Sequence, residues 1–229
     1  FLDMVDNRNL KTESAHGFSL VELLTVMAII SVLLSVASVG ISRMGQAQGV
    51  TSGVSVAEGL FTQAQRLARS RGTTARVIIH DQMMDEDTAS RRRFRRLMLV
   101  VYKEVDPKTG AEAGDWSISG APTLLPDQVY YSPELSRDQV EDGNEVPTAI
   151  HQLTSNAEDT AECHYYEFNS QGLCTIPGAT FVIEGGPRPP NSERPRLGKT
   201  KNMGGFVIWR NGGTSRITDV ARIEDSTNN

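Results

Sequence analysis

The feature that most constrains the fold of this chain is a long apolar run near its start. Residues 18–41 contain a single charged residue, Glu22, and no proline. As an α-helix these 24 residues would be about 36 Å long, enough to cross a bilayer core of about 30 Å. The polar residues of the run are Ser, Thr and Gly, which membrane helices tolerate and use for close packing. The run therefore predicts a membrane-spanning helix.

The residues before this run argue against an ordinary secretory signal peptide. Such a peptide has a shorter apolar centre, a more basic start, and a small-residue cleavage site after the apolar centre. Here residues 1–17 are polar with mixed charge, and the small residue, Gly17, precedes the apolar run. The pattern favours a leader over residues 1–17 followed by a membrane anchor over residues 18–41.

The junction between leader and anchor carries a specific motif, Gly17-Phe18-Ser19-Leu20-Val21-Glu22-Leu23-Leu24. This block resembles the cleavage and methylation signal of type IV prepilins and type II secretion pseudopilins. In that family a membrane-bound prepilin peptidase on the cytoplasmic side cuts after the glycine. The same enzyme then methylates the new amino terminus. The resemblance implies a cytoplasmic leader, cleavage between Gly17 and Phe18, and methylation of Phe18.

The resemblance also gives Glu22 a role, since it stands at the fifth position of the mature chain. A carboxylate inside hydrocarbon costs about 2.5 kcal/mol or more unless it is paired. In a filament of bundled apolar helices, the family implies pairing between Glu22 and the amino group of Phe18 in a neighbouring subunit. The alternative places Glu22 at the membrane interface, solvated by lipid headgroups. The two interpretations are compatible if Glu22 lies at the membrane interface before assembly and is paired after it.

Residues 42–72 are amphipathic, whereas the run before them is almost entirely apolar. Arg71 and Gly72 form a basic last turn and a glycine stop, as at a helix C-terminus. Glycines at positions 40, 45, 49 and 53 weaken the middle, so we expect a bend or a loosened segment there. The pattern predicts that the helix continues over residues 42–72. Apolar residues recur at helical spacing at Met44, Ala47, Val50, Val54, Ala57, Phe61, Ala64, Leu67 and Ala68.

Residues 73–229 carry the signals of a β-rich domain. Turn signals at 106–110 and 211–213 separate the runs, and the second of these predicts a hairpin. The chain therefore reads as α+β, with a long N-terminal helix packed on an antiparallel sheet, as in pilins. The segment Phe61–Ile79 is similar to the helix end and first strand of the minor pseudopilin H and FimT-type group. The predicted strands are Ala75–His80, Leu97–Lys103, Val129–Tyr131, His164–Asn169, Thr180–Glu184, Phe206–Arg210 and Ser215–Thr218.

An arginine-rich run is the most conspicuous local signal in this domain. It comprises Arg91, Arg92, Arg93, Arg95 and Arg96, interrupted by Phe94. A basic cluster with an aromatic residue can grip phosphates and stack a base, which would suit DNA or another anionic ligand. The alternative is an exposed start of a strand, with the positive charge balanced by acidic residues at positions 81 and 85–87. The net charge of −5 argues against a chain coated with nucleic acid.

Two cysteines lie in a domain that the resemblance would place in an oxidising periplasm. Cys163 and Cys174 flank a predicted turn at residues 169–172. Their spacing predicts a hairpin-clasping disulfide worth about 2–3 kcal/mol. The alternative is two reduced, buried thiols.

Signatures of enzymes and of cofactor sites are missing from the sequence. The four histidines are scattered, and neither H-E-x-x-H nor G-x-S-x-G occurs. The acidic stretch 134–162 lacks the oxygen-ligand spacing of a calcium loop, so a solvated surface loop is the favoured interpretation. Gly198-Lys199-Thr200 ends like a phosphate-binding loop, but Glu193 stands where that loop needs a glycine. We expect no catalysis, no metal and no cofactor.

These observations lead to one functional hypothesis with two alternatives. The chain is expected to be a minor pilin or pseudopilin, with prepilin peptidase, other pilin subunits and the bacterial inner membrane as partners. Its N-terminus would be cytoplasmic and its β-rich domain periplasmic, before assembly into a periplasmic or surface filament. The first alternative is a minor pilin that binds DNA, through the arginine-rich run or through a second basic stretch, residues 188–201. The second alternative is a monomeric, membrane-tethered periplasmic protein.

Overall fold

A computed structural model of the chain describes residues 19–82, 88–138, 144–187 and 202–217. The chain divides into two compact units, Phe1–Arg43 and Met44–Asn229. The described residues contain two helices, α1 (Leu20–Arg71) and α2 (Thr88–Arg93). The strands are β1 (Ala75–His80), β2 (Leu97–Val105), β3 (Glu112–Leu124), β4 (Val129–Tyr131), β5 (Arg137–Asp138), β6 (Asn144–Glu145), β7 (Thr148–Gln152), β8 (Thr160–Phe168), β9 (Thr180–Gly185), β10 (Met203–Ile208) and β11 (Thr214–Ile217).

Helix α1 ends where its sequence predicts. Gly72 adopts a φ of 62°, a left-handed conformation that glycine reaches without steric cost. The Thr73 amide then donates to the Ala68 carbonyl at 3.1 Å, which satisfies a carbonyl of the last turn. The helix continues through the four glycines, so they do not end it. The bend or loosened segment expected there stays a prediction.

The N-terminal unit presents an apolar surface. Thr25, Ser31 and Ser35 donate their hydroxyls to backbone carbonyls four residues earlier, at 2.7–2.8 Å. These polar groups are thereby satisfied within the helix, and apolar side chains dominate its exterior. The large apolar residues that are 44–74% exposed on this unit are Leu20, Val21, Leu23, Leu24, Val26, Met27, Ile29, Ile30, Val32, Leu33 and Leu34.

A membrane-spanning helix stays a prediction for this unit. Over the parts of the chain that the structure describes, no helix is both long and apolar enough to cross a membrane. Residue 18 and the side chains of residues 36–47 lie outside the described part.

The second unit is built on two antiparallel sheets. The larger sheet has the strand order β3-β2-β1-β8-β7, and the smaller one has the order β11-β10-β9-β4. Strands β5 and β6 form a separate short pair. The hairpin predicted at residues 211–213 is confirmed, since β10 pairs with β11 across that turn. The α+β fold class is likewise confirmed.

The main core lies between the second half of α1 and the two sheets. Phe61 of α1 is fully buried, and its ring contacts the rings of Tyr166, Phe168, Phe181 and Phe206 with centroids 5.0–6.2 Å apart. Aromatic pairs at such separations add stability beyond their buried area. The amphipathic pattern of residues 50–68 is therefore explained by one apolar face packed on this core.

The inner strands β1 and β2 of the larger sheet are buried on both faces. Ala75, Val77 and Ile79 of β1 point into the main core, whereas Ile78 joins a second apolar cluster on the opposite face. Strand β2 is buried on both faces from Leu97 to Tyr102, as the continuous apolar run of an inner strand requires.

Three strand groups were not predicted. Strand β3 was missed because Gly114, Gly120 and Pro122 resemble turn signals. An edge strand tolerates these residues, and the pairing of β3 with β2 contains two irregularities in register. Strands β5, β6 and β7 lie within the acidic stretch 134–162, so the interpretation of that whole stretch as a solvated surface loop is wrong. Strand β8 begins at Thr160, four residues earlier than expected.

Candidate functional site

The N-terminal motif lies at the start of α1. Gly17 and Phe18 fall outside the described residues, so their roles in cleavage and methylation stay predictions. Ser19 precedes the helix, and its carbonyl accepts the Leu23 amide at 3.1 Å to close the first turn. Glu22 stands in that turn, where a negative charge interacts favourably with the helix dipole.

Glu22 is the single charged side chain among residues 19–35. It is exposed and flanked by the exposed side chains of Val21 and Leu23. Burial of this surface, in lipid or among other helices, would remove the carboxylate from water. A buried carboxylate needs a cation or hydrogen-bond donors beside it. The arrangement therefore combines a large apolar contact area with one charge that requires a partner.

The arginine-rich run does not form a single basic surface. Arg91 and Arg92 are exposed at the end of α2. Arg93 is half-buried and forms an ion pair with Asp159 at 3.1 Å. Arg96 donates to the Leu125 carbonyl at 2.8 Å and to the Asp127 carboxylate at 2.7 Å.

Arg95 is a buried structural residue. Its φ is 54°, which is uncommon for a residue other than glycine. Its amide donates to the His80 carbonyl at 2.8 Å, and its carbonyl accepts the Tyr131 amide at 2.7 Å. Its guanidinium pairs with Asp81 at 2.5 Å and reaches Glu134 at 3.5 Å. Arg95 thus connects β1 of the larger sheet to β4 of the smaller one.

These contacts contradict the prediction that the whole arginine-rich run is available to an anionic ligand. Three of its five arginines, Arg93, Arg95 and Arg96, neutralise carboxylates within the domain. An anionic ligand would therefore not meet five free guanidinium groups. Asp81 is among the balancing acids that the alternative interpretation named, whereas residues 85–87 lie outside the described part. The second basic stretch, residues 188–201, also lies outside it.

The structure does not join the two cysteines. Both are buried and free. Cys163 points into the second apolar cluster, whereas Cys174 belongs to the main core on the other face of the sheet. Cys174 pairs with Phe168, five residues beyond Cys163, or about 17 Å along an extended strand. That separation is too long for a disulfide, so the expected bridge is not formed.

Burial makes both thiols unreactive. It raises the pKa of Cys163 to about 12 and that of Cys174 to about 11. The thiolate is the nucleophilic and metal-binding form, so neither cysteine is poised for either role. Within the described residues, no group of three or more His, Cys, Asp or Glu side chains is placed to hold a metal ion.

Carboxylates of the acidic stretch 134–162 contact protein groups. Glu134 pairs with Arg95, Asp159 pairs with Arg93, and Glu162 accepts the Thr148 hydroxyl at 2.9 Å. These carboxylates serve the fold, and residues 139–143 lie outside the described part.

Sequence reasoning missed two side-chain clusters. The Arg76 guanidinium lies between the rings of Trp116 and Tyr165, at 4.3 and 3.8 Å, and pairs with Glu167 at 2.7 Å. His164 contacts Asp81, which in turn binds Arg95. The residues of both clusters come from segments that are distant in sequence, so no local pattern predicts either cluster.

Comparison with known proteins bears on the N-terminal end of the chain. Residues 14–38 match the family model described as the prokaryotic N-terminal methylation motif. Searches of the curated proteins and of the solved structures give no match to the chain. The matched segment contains Gly17, Phe18 and Glu22, and leads into the helix that packs on the antiparallel sheets. The match at residues 14–38, ahead of this α+β fold, supports a type IV pilin-like protein with a prepilin cleavage motif.

Proposed function

We propose that this protein is a minor pilin or pseudopilin. It is made as a precursor, cut between Gly17 and Phe18, methylated at Phe18, and held in the inner membrane by residues 18–41. It then enters the filament of a type II secretion pseudopilus or of a type IV pilus. The observation that carries this proposal is the methylation motif directly ahead of a helix with an exposed apolar surface.

Burial of the apolar surface would stabilise the protein both in the membrane and in the filament. Eleven large apolar side chains of α1 are exposed between Leu20 and Leu34. Burying one such side chain contributes about 1.5–3 kcal/mol. Lipid before assembly and neighbouring helices after assembly can each bury them. Helix packing within the filament then depends on close contact and on the pairing of Glu22.

The second unit supplies the contact surface of the subunit. We propose that it faces the periplasm and that its work is assembly and recognition, without catalysis. Prepilin peptidase, other pilin subunits and the membrane are the partners that this proposal requires.

The two alternatives have weaker support. DNA binding would have less cationic surface than the run suggests, because Arg93, Arg95 and Arg96 are engaged in ion pairs. It would draw on Arg92 and on the second basic stretch. A monomeric tethered protein would keep its apolar helix in lipid. It would also give Glu22 no subunit to pair with.

The processing step is tested by the N-terminal mass of the mature protein. The full chain is produced together with a prepilin peptidase and recovered from membranes. We expect a chain that begins with methylated Phe18. A Gly17→Ala variant should keep its leader, and a Ser19→Ala variant should be processed like the wild type. An intact leader in the wild type, or a cut beyond residue 41, would overturn the proposal.

The assembly step is tested by Glu22→Gln, which removes the charge and keeps the size of the side chain. We expect this variant to be cut and methylated at Phe18, yet to be lost from sheared filaments that contain the other pilin subunits. Thr25→Ala is the matched control, because Thr25 satisfies its hydroxyl within the helix. Incorporation of Glu22→Gln at the wild-type level would exclude the pairing role.

A further inference from the structure

His164 lies in β8 and is only 3% exposed. Its Nδ1 atom is 3.0 Å from the Val146 carbonyl oxygen, just ahead of β7. Its Nε2 atom is 3.1 Å from a carboxylate oxygen of Asp81, just after β1. The ring thus stands between two segments that are far apart in sequence.

Both partners of the ring are hydrogen-bond acceptors. A carbonyl oxygen has no proton to donate, and an ionised carboxylate has none either. Burial by itself would raise the pKa of Asp81, but hydrogen bonds from His164 and Arg95 outweigh it and hold that pKa below its ordinary value. Asp81 is therefore ionised at neutral pH. Two acceptors are satisfied together only if both ring nitrogens of His164 carry a proton.

We propose that His164 is a buried imidazolium that ties the segment before β7 to the end of β1, and that this tie opens when the ring loses a proton. The neutral ring has one N–H group, which stays with the Asp81 carboxylate. The Nδ1 lone pair then faces the Val146 carbonyl, and the contact becomes repulsive. Among the described strands β7 pairs with β8 alone, so β7 depends strongly on such anchoring.

The surrounding charges favour the protonated ring on balance. Asp81 faces it from the end of β1, and Arg95 lies beyond Asp81 on the turn before β2. Glu134, which follows β4, offsets part of the Arg95 charge. The Tyr131 ring of β4 packs 5.3 Å from the imidazole. From β9, Glu184 interacts with Glu134 and Arg95, and burial raises the pKa of its carboxyl.

The pKa of His164 follows from the same contacts. Burial lowers it, but the hydrogen bonds to Asp81 and to the Val146 carbonyl raise it by more, so it lies above the ordinary value of 6.5. A group whose pKa is raised by folding stabilises the fold below its unfolded pKa. That stabilisation is lost as the pH rises through the folded pKa. The tie is therefore closed below that raised pKa and opens as the pH rises through it.

The protonation state is tested by NMR of the full chain in detergent micelles, with ¹⁵N-labelled histidine rings. His164 is assigned from its absence in His164→Asn. We expect both ring nitrogens of His164 to be protonated at low pH and one to titrate with a midpoint above 6.5. His151 is the internal control, with a midpoint well below 6.5. A His164 midpoint at or below 6.5 would overturn the proposal.

The opening of the tie is tested by amide hydrogen exchange in β7. As the pH rises through the midpoint, protection factors of Thr148–Gln152 should fall about tenfold in the wild type, as for the loss of one hydrogen bond. In His164→Asn the amide nitrogen takes the place of Nδ1 and does not titrate, so protection should stay level. Level protection in the wild type would refute the tie.

A second variant keeps the test decisive if His164→Asn fails to fold. Asp81→Asn keeps an acceptor and a similar shape but removes the carboxylate charge. It should lower the proton affinity of His164 more than tenfold, which moves the midpoint down by more than about one pH unit. An unchanged midpoint would contradict the assigned role of Asp81.

Discussion

At the scale of single residues, Arg95 shows how one side chain acts differently from its neighbours in sequence. Five arginines within six positions predict one shared role, the binding of an anionic ligand, because the local sequence does not distinguish among them. The left-handed backbone of Arg95 turns its side chain inward onto Asp81. Neither that conformation nor the distant acidic partners could be inferred from the run, whereas the exposure of Arg91 and Arg92 could.

Replacement of Arg95 by alanine should destabilise the domain strongly. It leaves the Asp81 carboxylate without its guanidinium, and breaking such a buried pair costs about 3–5 kcal/mol. Arg92→Ala, on the exposed end of α2, should change the free energy of unfolding by less than about 0.5 kcal/mol. Denaturant unfolding of the full chain in detergent micelles compares the two variants. Equal stability for both would contradict the structural role of Arg95.

His151 should make the domain sensitive to acid. Burial, with the nearby Arg76 charge, lowers its pKa to about 4. Between pH 6.5 and 4 the unfolded state therefore binds a proton that the folded state does not, and stability falls as the pH falls. From pH 7 to pH 5 the wild type should lose about 1–2 kcal/mol more than His151→Gln, measured by denaturant unfolding. An equal loss in both proteins would show that His151 titrates normally.

At the scale of elements, α1 shows what periodicity predicts and what it leaves open. The spacing of apolar residues predicts which face is buried, and the structure places that face on the main core. It does not predict how closely the helix approaches the sheets. At Gly53 an added Cβ would lie 2.8 Å from the Ile183 side chain and 3.3 Å from Val129, whereas at Gly59 it would meet nothing within 4 Å.

Alanine substitution at these two glycines should have opposite effects. Gly59→Ala should stabilise the protein by about 0.4–1 kcal/mol, because alanine reduces the freedom of the unfolded chain. Gly53→Ala carries the same advantage but overpacks the core, which costs about 1–3 kcal/mol. We expect a net loss for Gly53→Ala in denaturant unfolding. Stabilisation by both substitutions would mean that α1 can move away from β9 without cost.

At the scale of the whole molecule, the sequence predicts the class of fold but not its division into two sheets. Continuous apolar runs and turn signals give seven of the eleven strands. Strand order depends on pairing between distant segments, such as β1 with β8, and local patterns do not record that pairing. The N-terminal motif can be recognised from sequence, because an enzyme that cuts a short segment recognises consecutive residues.

The placement of the cysteines on opposite faces of the larger sheet predicts a chain without an internal disulfide. Under denaturing conditions without reductant, alkylation should add two labels to the mass of the full chain. Under native conditions labelling should be slow, because both thiols are buried. A chain that takes up label only after reduction would show that the two cysteines pair and that the sheet is arranged differently.

The strand order of the larger sheet has a consequence for the nascent chain. Strand β1 lies at the centre of the sheet, between β2, which ends at Val105, and β8, which ends at Phe168. At a synthesis rate of about 5–20 residues per second, the 63 residues between those two ends take about 3–13 seconds to appear. An unpaired strand edge is a template for aggregation. The growing polypeptide therefore exposes, for several seconds, an edge that the finished protein buries, and a chaperone that shields it would act within that interval.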